Sequence, residues 1–496
     1  FIDTNLAINA AQGIGTTSPF DIDVTNLAGT VASGGFDVQN SGDLNITSVG
    51  ALNGVSVTSG AVSVDATGSL TIDQAITTPD NISLNAGLNV ALNAAVAAAG
   101  FGDVTITADN DVTSSPTGTV ATSTGSVTIV PDNDDSSGGV FTLAGAINHG
   151  SGGTNLDLSD GTSSITGNIS GTGGLTQTGV GTLVLAGVNS FSGLTSITDG
   201  NLVVSGSLAS DVNVGAGSTL AGIGTIFGTV TTDGVIAPGN SPGILSTGDV
   251  TFANGSAFNV EIEGTSPGSG HDQINVTGFV TIGTGVSLLT TLGSGFEPFD
   301  GDQFIIINND GDSDAIMGRF DGLDEGTTFE VAGQTLTITY FGGDGNDVVL
   351  LGQGTASTLV TLDQSNNLLI TDINGGNSND TLTILSDTAN SQFVITDPGR
   401  SLTTDVAGAV RVDSRTILVP FASIAGSSVN FDLLGGDDSL TIDLSLGNFG
   451  KSVNVFGGTN SLIGDQLRIQ GGSTFETVSF VNFGFGQGTV SVSDNF

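Results

Sequence analysis

The sequence predicts an all-β chain, wound as a solenoid of short strands and followed by a smaller all-β domain. Three observations carry that expectation. Apolar residues alternate with Ser, Thr and Asn in short runs such as Leu44/Ile46, Val62/Val64, Leu70/Ile72 and Ile82/Leu84, the period of strands that bury one face. No helical 3.6-residue period survives beside them. The runs are separated by Gly, Asn and Asp, and 78 of the 496 residues are Gly, a spacing that describes coils turning corners.

Residues 1–150 continue the alternation through Val55/Val57, Leu88/Val90, Val104/Ile106 and Val127/Ile129. Their uneven intervals favour a solenoid with variable loops over a strict short repeat. An antiparallel sandwich alternates in the same way, so this stretch alone leaves the architecture open. Residues 151–352 form the second part of the coil. Here Leu183/Leu185, Leu194/Ile197 and Leu202/Val204 are followed by Leu220-Ala-Gly-Ile-Gly-Thr-Ile-Phe-Gly-Thr-Val and Gly234-Val-Ile-Ala-Pro-Gly-Asn-Ser-Pro-Gly-Ile-Leu. Phe258-Asn-Val-Glu-Ile, His271-Asp-Gln-Ile-Asn-Val-Thr-Gly and Gly301-Asp-Gln-Phe-Ile-Ile-Ile come next. Gln353-Gly-Thr-Ala-Ser then reads as a junction into residues 353–496. Strands are expected there at Leu368-Leu-Ile, Leu382-Thr-Ile, Phe393-Val-Ile, Ile417-Leu-Val, Val429-Asn-Phe-Asp-Leu, Leu440-Thr-Ile-Asp-Leu and Leu467-Arg-Ile.

The segment 173–204 resembles the passenger-associated repeat of bacterial autotransporters. The order of the segments after it extends the resemblance over roughly 170–350, to Tyr340-Phe-Gly-Gly-Asp-Gly-Asn-Asp-Val-Val-Leu. The resemblance implies a right-handed parallel β-helix over about 1–352 and an extracellular or bacterial cell-surface location. The C-terminal strands with their Gly-Gly-Asp turns resemble repeats of very large bacterial surface proteins, including those of planctomycetes. With ~20 residues per coil and ~4.8 Å per rung, the first 350 residues would make a rod on the order of 80 Å long. Its open ends would need a cap or a partner.

Composition bounds the function. With 49 acidic and 6 basic residues, the first of them Arg319, the formal net charge is −43, so nucleic acid and anionic membranes are excluded as partners. Divalent cations are the expected counterweight to that self-repulsion. A mean hydropathy of +0.26 argues against disorder. The absence of Cys removes disulfides, thiol ligation of zinc and nucleophilic thiol chemistry, and suits export of an unfolded chain. No run reaches the ~18 apolar residues of a membrane helix. Although the chain ends in Phe496, one Tyr and no Trp exclude the aromatic girdles of an outer-membrane barrel. It begins at Phe1 without a charged, apolar leader, as a processed or excised piece would.

Calcium is the expected cofactor. Gly342-Gly-Asp-Gly-Asn-Asp-Val-Val-Leu fits the calcium-binding nonapeptide of RTX proteins, which puts Asp344, Asn346 and Asp347 forward as metal ligands. Asn309-Asp-Gly-Asp-Ser-Asp offers Asp310, Asp312 and Asp314, although it has no Glu at the twelfth position of an EF-hand loop. Asp132-Asn-Asp-Asp is a further acidic cluster, and Gly435-Gly-Asp-Asp offers Asp437 and Asp438. That turn and Gly375-Gly-Asn-Ser-Asn-Asp stand ~30 to 60 residues from each other or from the nonapeptide, too far apart for nonapeptide stacking.

No catalytic residue is assigned. A lyase needs a base and a cation beside the substrate carboxylate, and no Lys or Arg precedes Arg319. His149, in a Gly-Ser-rich loop, and His271, before Asp-Gln, lack the partners of a nucleophilic triad. The expected function is a non-enzymatic extracellular structural protein, a subunit or segment of a surface fibre that grows head to tail from its own copies or joins other surface proteins. An adhesin or glycan-binding stalk is the alternative, and a polysaccharide-degrading β-helix enzyme the third reading.

Overall fold

The computed structural model describes residues 2–133, 138–239, 241–294, 296–299, 301–309, 314–354, 357–373, 379–435, 437–448, 450–456, 465–471, 477–484 and 487–493. Among them the secondary structure is strand throughout, apart from one 3-10 turn at Phe421–Ser423.

The first part is a parallel β-helix in which each coil contributes one strand to each of three stacks. The first stack climbs through Phe36–Asn40, Val62–Ala66, Ile82–Ala86, Val104–Ala108 and onward to Val280–Ile282. The second runs from Ile2–Ala10 through Leu44–Ile46, Leu70–Ile72 and Thr182–Leu185 to Ser287–Leu292. The third passes Val55–Val57, Ile76–Thr78 and Ile147–His149 to Ile169–Gly171, where the strand pairing breaks, and resumes from Val188–Asn189 to Gln303–Asn309. Every pairing within these stacks is parallel, so the sandwich left open by the alternation is excluded.

Register explains why the sequence folds this way. Val62, Ile82, Val104 and Val127 lie one above another and are buried, while Ser63, Ser83, Thr105 and Thr128 form the adjacent outward column. Parallel rungs keep identical positions in line, so each aliphatic side chain packs on its counterpart above and below. A single coil has too little apolar area to fold alone, and stacking supplies it. One continuous core results, from Ile22 to Leu350.

Coil length varies, as the uneven intervals predict. One rung-to-rung hydrogen bond spans 18 residues, Thr229 to Asp211, and another spans 30, Phe279 to Asp249. The second stack holds about 14 rungs, hence a height of roughly 60 Å at ~4.8 Å per rung. This is shorter than the expected 80 Å, because the longer coils take more residues per rung and the coil ends with the strand Gln303–Asn309.

The end of the helix is closed. Gln303–Asn309 pairs antiparallel with Asp347–Gly352, which pairs with Gln334–Gly342, which pairs with Thr328–Val331. Phe320 stacks on Phe258 at 6.2 Å and meets Phe252 edge-on, plugging the last coil. The single tyrosine fixes this plug: Tyr340 Oη accepts from Phe320 N at 3.0 Å and donates to Leu323 O at 2.7 Å.

A second core begins at Val360 and is separate from the first. It lies between two mixed sheets whose central strands are again parallel and stacked. Leu368–Asp372, Ser428–Asp432 and Ser452–Phe456 make one stack. Thr381–Asp387, Ser439–Asp443 and Gln466–Gln470 make the other. Antiparallel strands Gln392–Thr396 and Thr416–Pro420 extend the second sheet. All seven strands expected after residue 353 are present.

Candidate functional site

The RTX-like segment forms a hairpin turn between antiparallel strands. A Cβ on Gly343 would lie 1.6 Å from Asp347 Oδ2, and Gly343 has φ +55. The turn therefore folds tightly over the Asp347 carboxylate, which only Gly at this position allows. Asp347 is buried, and its Oδ1 accepts the Asn309 N–H at 2.8 Å. Burial, and secondarily the charge of Asp344, raises its pKa above the usual carboxylate range. RTX repeats share calcium between parallel rungs; an antiparallel turn offers no such neighbour.

Two candidates that are separate in sequence meet here. Asn346 Nδ2 donates to Asp314 Oδ1 at 3.2 Å, and Asn309 Nδ2 donates to Asp314 O at 2.6 Å. Asp314 thus lies against the 344–347 turn, and Asp344 itself is exposed. Asp310 and Asp312 lie outside the described residues, as do Asp134 and Asp135 of the earlier acidic cluster. Of that cluster, Asp132 is buried and its Oδ2 accepts the Ser159 hydroxyl at 2.7 Å.

Asp437 and Asp438 sit at a different kind of corner. Asp380, Asp438 and Asp465 each precede the same strand of successive rungs and form a ladder. Asp380 N donates to Asp438 Oδ1 at 2.9 Å, and Asp438 N donates to Asp465 Oδ1 at 3.1 Å. Asp437 N reaches Asn379 Oδ1 at 2.8 Å. Far apart as the two turns are in sequence, Asp380 and Asp438, which end them, stand on adjacent rungs. Asp380 and Asp438 are 58 positions apart because antiparallel strands folded out to the side lie between them, so this sheet gains its next parallel strand only after Asp438.

Asp372, Asp380, Asp397 and Asp438 are all almost wholly buried around this corner. Burial pushes Asp380 up to about 8, reinforced by the charges of Asp397, Asp372 and Asp438 and opposed by Arg400. It pushes Asp438 up to about 6 and raises Asp397 as well. Among the described residues no three His, Cys, Asp or Glu side chains are gathered as metal ligands.

The two histidines are core side chains. His149 ends a strand of the third stack, where a Gly-Ser loop is expected from the sequence. Its Nδ1 bonds Thr154 Oγ1 at 2.7 Å and its ring meets Phe191 edge-on at 5.4 Å. The room comes from Gly171 on the next rung, where a Cβ would lie 2.3 Å from the imidazole. His271 packs edge-on against Phe304. Burial lowers both pKa values, so both rings are neutral at neutral pH. Asp272 beside it accepts Gly243 N at 2.8 Å and Glu261 N at 2.9 Å, tying the Pro-Gly-Asn-Ser-Pro-Gly loop to the coil.

Residues 175–204 match the family model of the passenger-associated-transport-repeat. No curated protein matches the chain. The matched residues span one full coil and two strands of the next, from Leu175–Thr178 to Asn201–Val204. Leu175, Leu183, Leu185, Ile197, Leu202 and Val204 point into the core. Two inward amides stitch the coils together. Gln177 Nε2 donates to Gly181 O and Asn201 O. Asn189 Oδ1 accepts from Ile169 N, while its Nδ2 donates to Gly187 O and Ser207 O.

Proposed function

We propose that this chain is a passenger-type rod displayed outside a bacterial cell, a structural and adhesive element that works through its shape and its corner loops. The observation that carries this reading is the unbroken parallel stack from Ile2–Ala10 to Ser287–Leu292 with the matched repeat inside it. Catalysis is not part of the reading: no basic residue lies before Arg319, and each histidine is spent on packing.

A displayed rod is favoured over a head-to-tail polymer subunit. Growth by adding coils needs a free strand edge at both ends, and the antiparallel strand Asp347–Gly352 occupies the edge of Gln303–Asn309. The ligand class that suits an acidic outer face lined with columns of Ser and Thr is an uncharged or basic glycan, with other surface proteins as further partners. Sedimentation velocity and electron microscopy of the purified chain, with and without calcium, test the reading together with a glycan array. Elongated monomers that bind a subset of glycans are expected. Filaments at any calcium concentration would restore the fibre reading, and cleavage of an acidic polysaccharide would end the non-enzymatic one.

A further inference from the structure

Four aspartates, Asp372, Asp380, Asp397 and Asp438, are each 1% exposed or less at one corner of the C-terminal region. Buried carboxylates persist only when hydrogen-bonded, paired, protonated or bound to a cation. Some are provided for. Asp397 accepts Gly399 N at 2.9 Å and Thr381 N at 3.3 Å, and Asp438 Oδ1 accepts Asp380 N. Three oxygens accept no hydrogen bond: Asp380 Oδ1, Asp380 Oδ2 and Asp438 Oδ2. The nearby cation is Arg400, whose Nε stays 3.8 Å from Asp380 Oδ1 while its Nη1 pairs with Glu297 at 2.7 Å. One guanidinium committed elsewhere leaves the corner with more buried carboxylates than cations.

We propose that the carboxylates of Asp380 and Asp438, on adjacent rungs, bind one calcium ion at this corner. The vacant acceptors are hard carboxylate oxygens, the ligand type that calcium selects. Two carboxylates suffice when carbonyl and water oxygens complete a sphere of about six to eight ligands. The ladder geometry sets the two side chains one strand spacing apart and fixes Asp438 through its Oδ1, which leaves Oδ2 for the ion. The competing way to neutralise the corner is a proton on Asp380, and the two give opposite results below.

The test is thermal unfolding and calorimetric titration of the full chain with calcium chloride at neutral pH, against magnesium chloride, for the wild type and for Asp380→Asn, Asp438→Asn and Asp347→Asn. Asn keeps the size and one acceptor oxygen of Asp. At a calcium concentration about 100-fold above the dissociation constant, binding to the native state raises the melting temperature by several degrees. That rise is expected in the wild type and in Asp347→Asn, and its loss is expected in Asp380→Asn and Asp438→Asn. A rise kept in Asp380→Asn but lost in Asp347→Asn overturns the assignment by placing the ion at the hairpin turn. A wild type that ignores calcium while Asp380→Asn alone is more stable also overturns it, because a proton then neutralises the corner.

Discussion

Arg415 Nη1 lies 3.0 Å from Asp302 Oδ2, an ion pair that joins the C-terminal region to the closed end of the β-helix. The same guanidinium donates to Pro398 O and Glu297 O, and it covers the rings of Phe296 and Phe299 at 5.0 and 5.7 Å. With Arg400 on Glu297, two of the six basic residues in the chain are spent on this seam. In so acidic a protein the few cations mark contacts that repulsion would otherwise open.

Arg415→Ala should therefore loosen the seam. Breaking a buried pair by removing one partner costs about 3 to 5 kcal/mol, and Asp302 is buried. The expected readout is faster limited proteolysis between residues 352 and 358, with the β-helix fragment surviving. Unchanged cleavage kinetics would refute the role of the pair.

Asn189→Ala should destabilise the coil carrying the matched repeat. It removes the side-chain partner of Ile169 N and Ser207 O, while Gly187 O keeps the Ser207 N–H, and each buried orphan costs about 1 to 3 kcal/mol. Urea denaturation should show a lower midpoint with an unchanged slope. A loss below about 0.5 kcal/mol would mean that the amide ladder is incidental.

Gly343→Ala should be more damaging than an ordinary surface substitution. The new methyl meets the Asp347 carboxylate in a positive-φ turn, so the loss should exceed about 1 kcal/mol. Gly322→Ala is the control: its φ is also positive, +70, but its Cβ would face open space. Equal losses in the two variants would show that φ alone matters and that the turn does not press on Asp347.

The contribution of Asp272 to stability should fall as pH rises, with divalent cations chelated. Burial pushes Asp272 up to about 6 from the ordinary value of 3.8. A raised carboxylate means that the folded chain holds protons the unfolded chain has lost, so its contribution is full at acid pH and is lost as pH rises through about 6. The buried histidines, lowered by desolvation, pull the other way, so the readout is the difference from Asp272→Asn, in which they cancel: the melting temperature of the wild type relative to that variant should decline from about pH 4 to about pH 7. A difference that is constant or grows over that interval contradicts the assignment.

The fold is legible because period-two alternation is local: Val62/Val64 or Leu440/Ile442 announce a strand without reference to any other. What needs register is not legible. His149 reads as a loop residue because its space is made by Gly171 in the following coil. Asp314 and Asn346 read as two candidates because the antiparallel closure that joins them has no short-range signal. Asp380 and Asp438 read as strangers because a lateral excursion separates two consecutive rungs. Asp372 and Asp397 carry no motif, and their burial follows only from the packing of both sheets.

The unequal coils have one last consequence. An 18-residue circuit and a 30-residue circuit both lift the stack by a single strand spacing, ~4.8 Å. Reach is thus counted in whole turns, as on a ruler, while girth is free to vary. Residues inserted at a corner alter only what the coil presents sideways, and its length changes only when an entire turn is gained or lost.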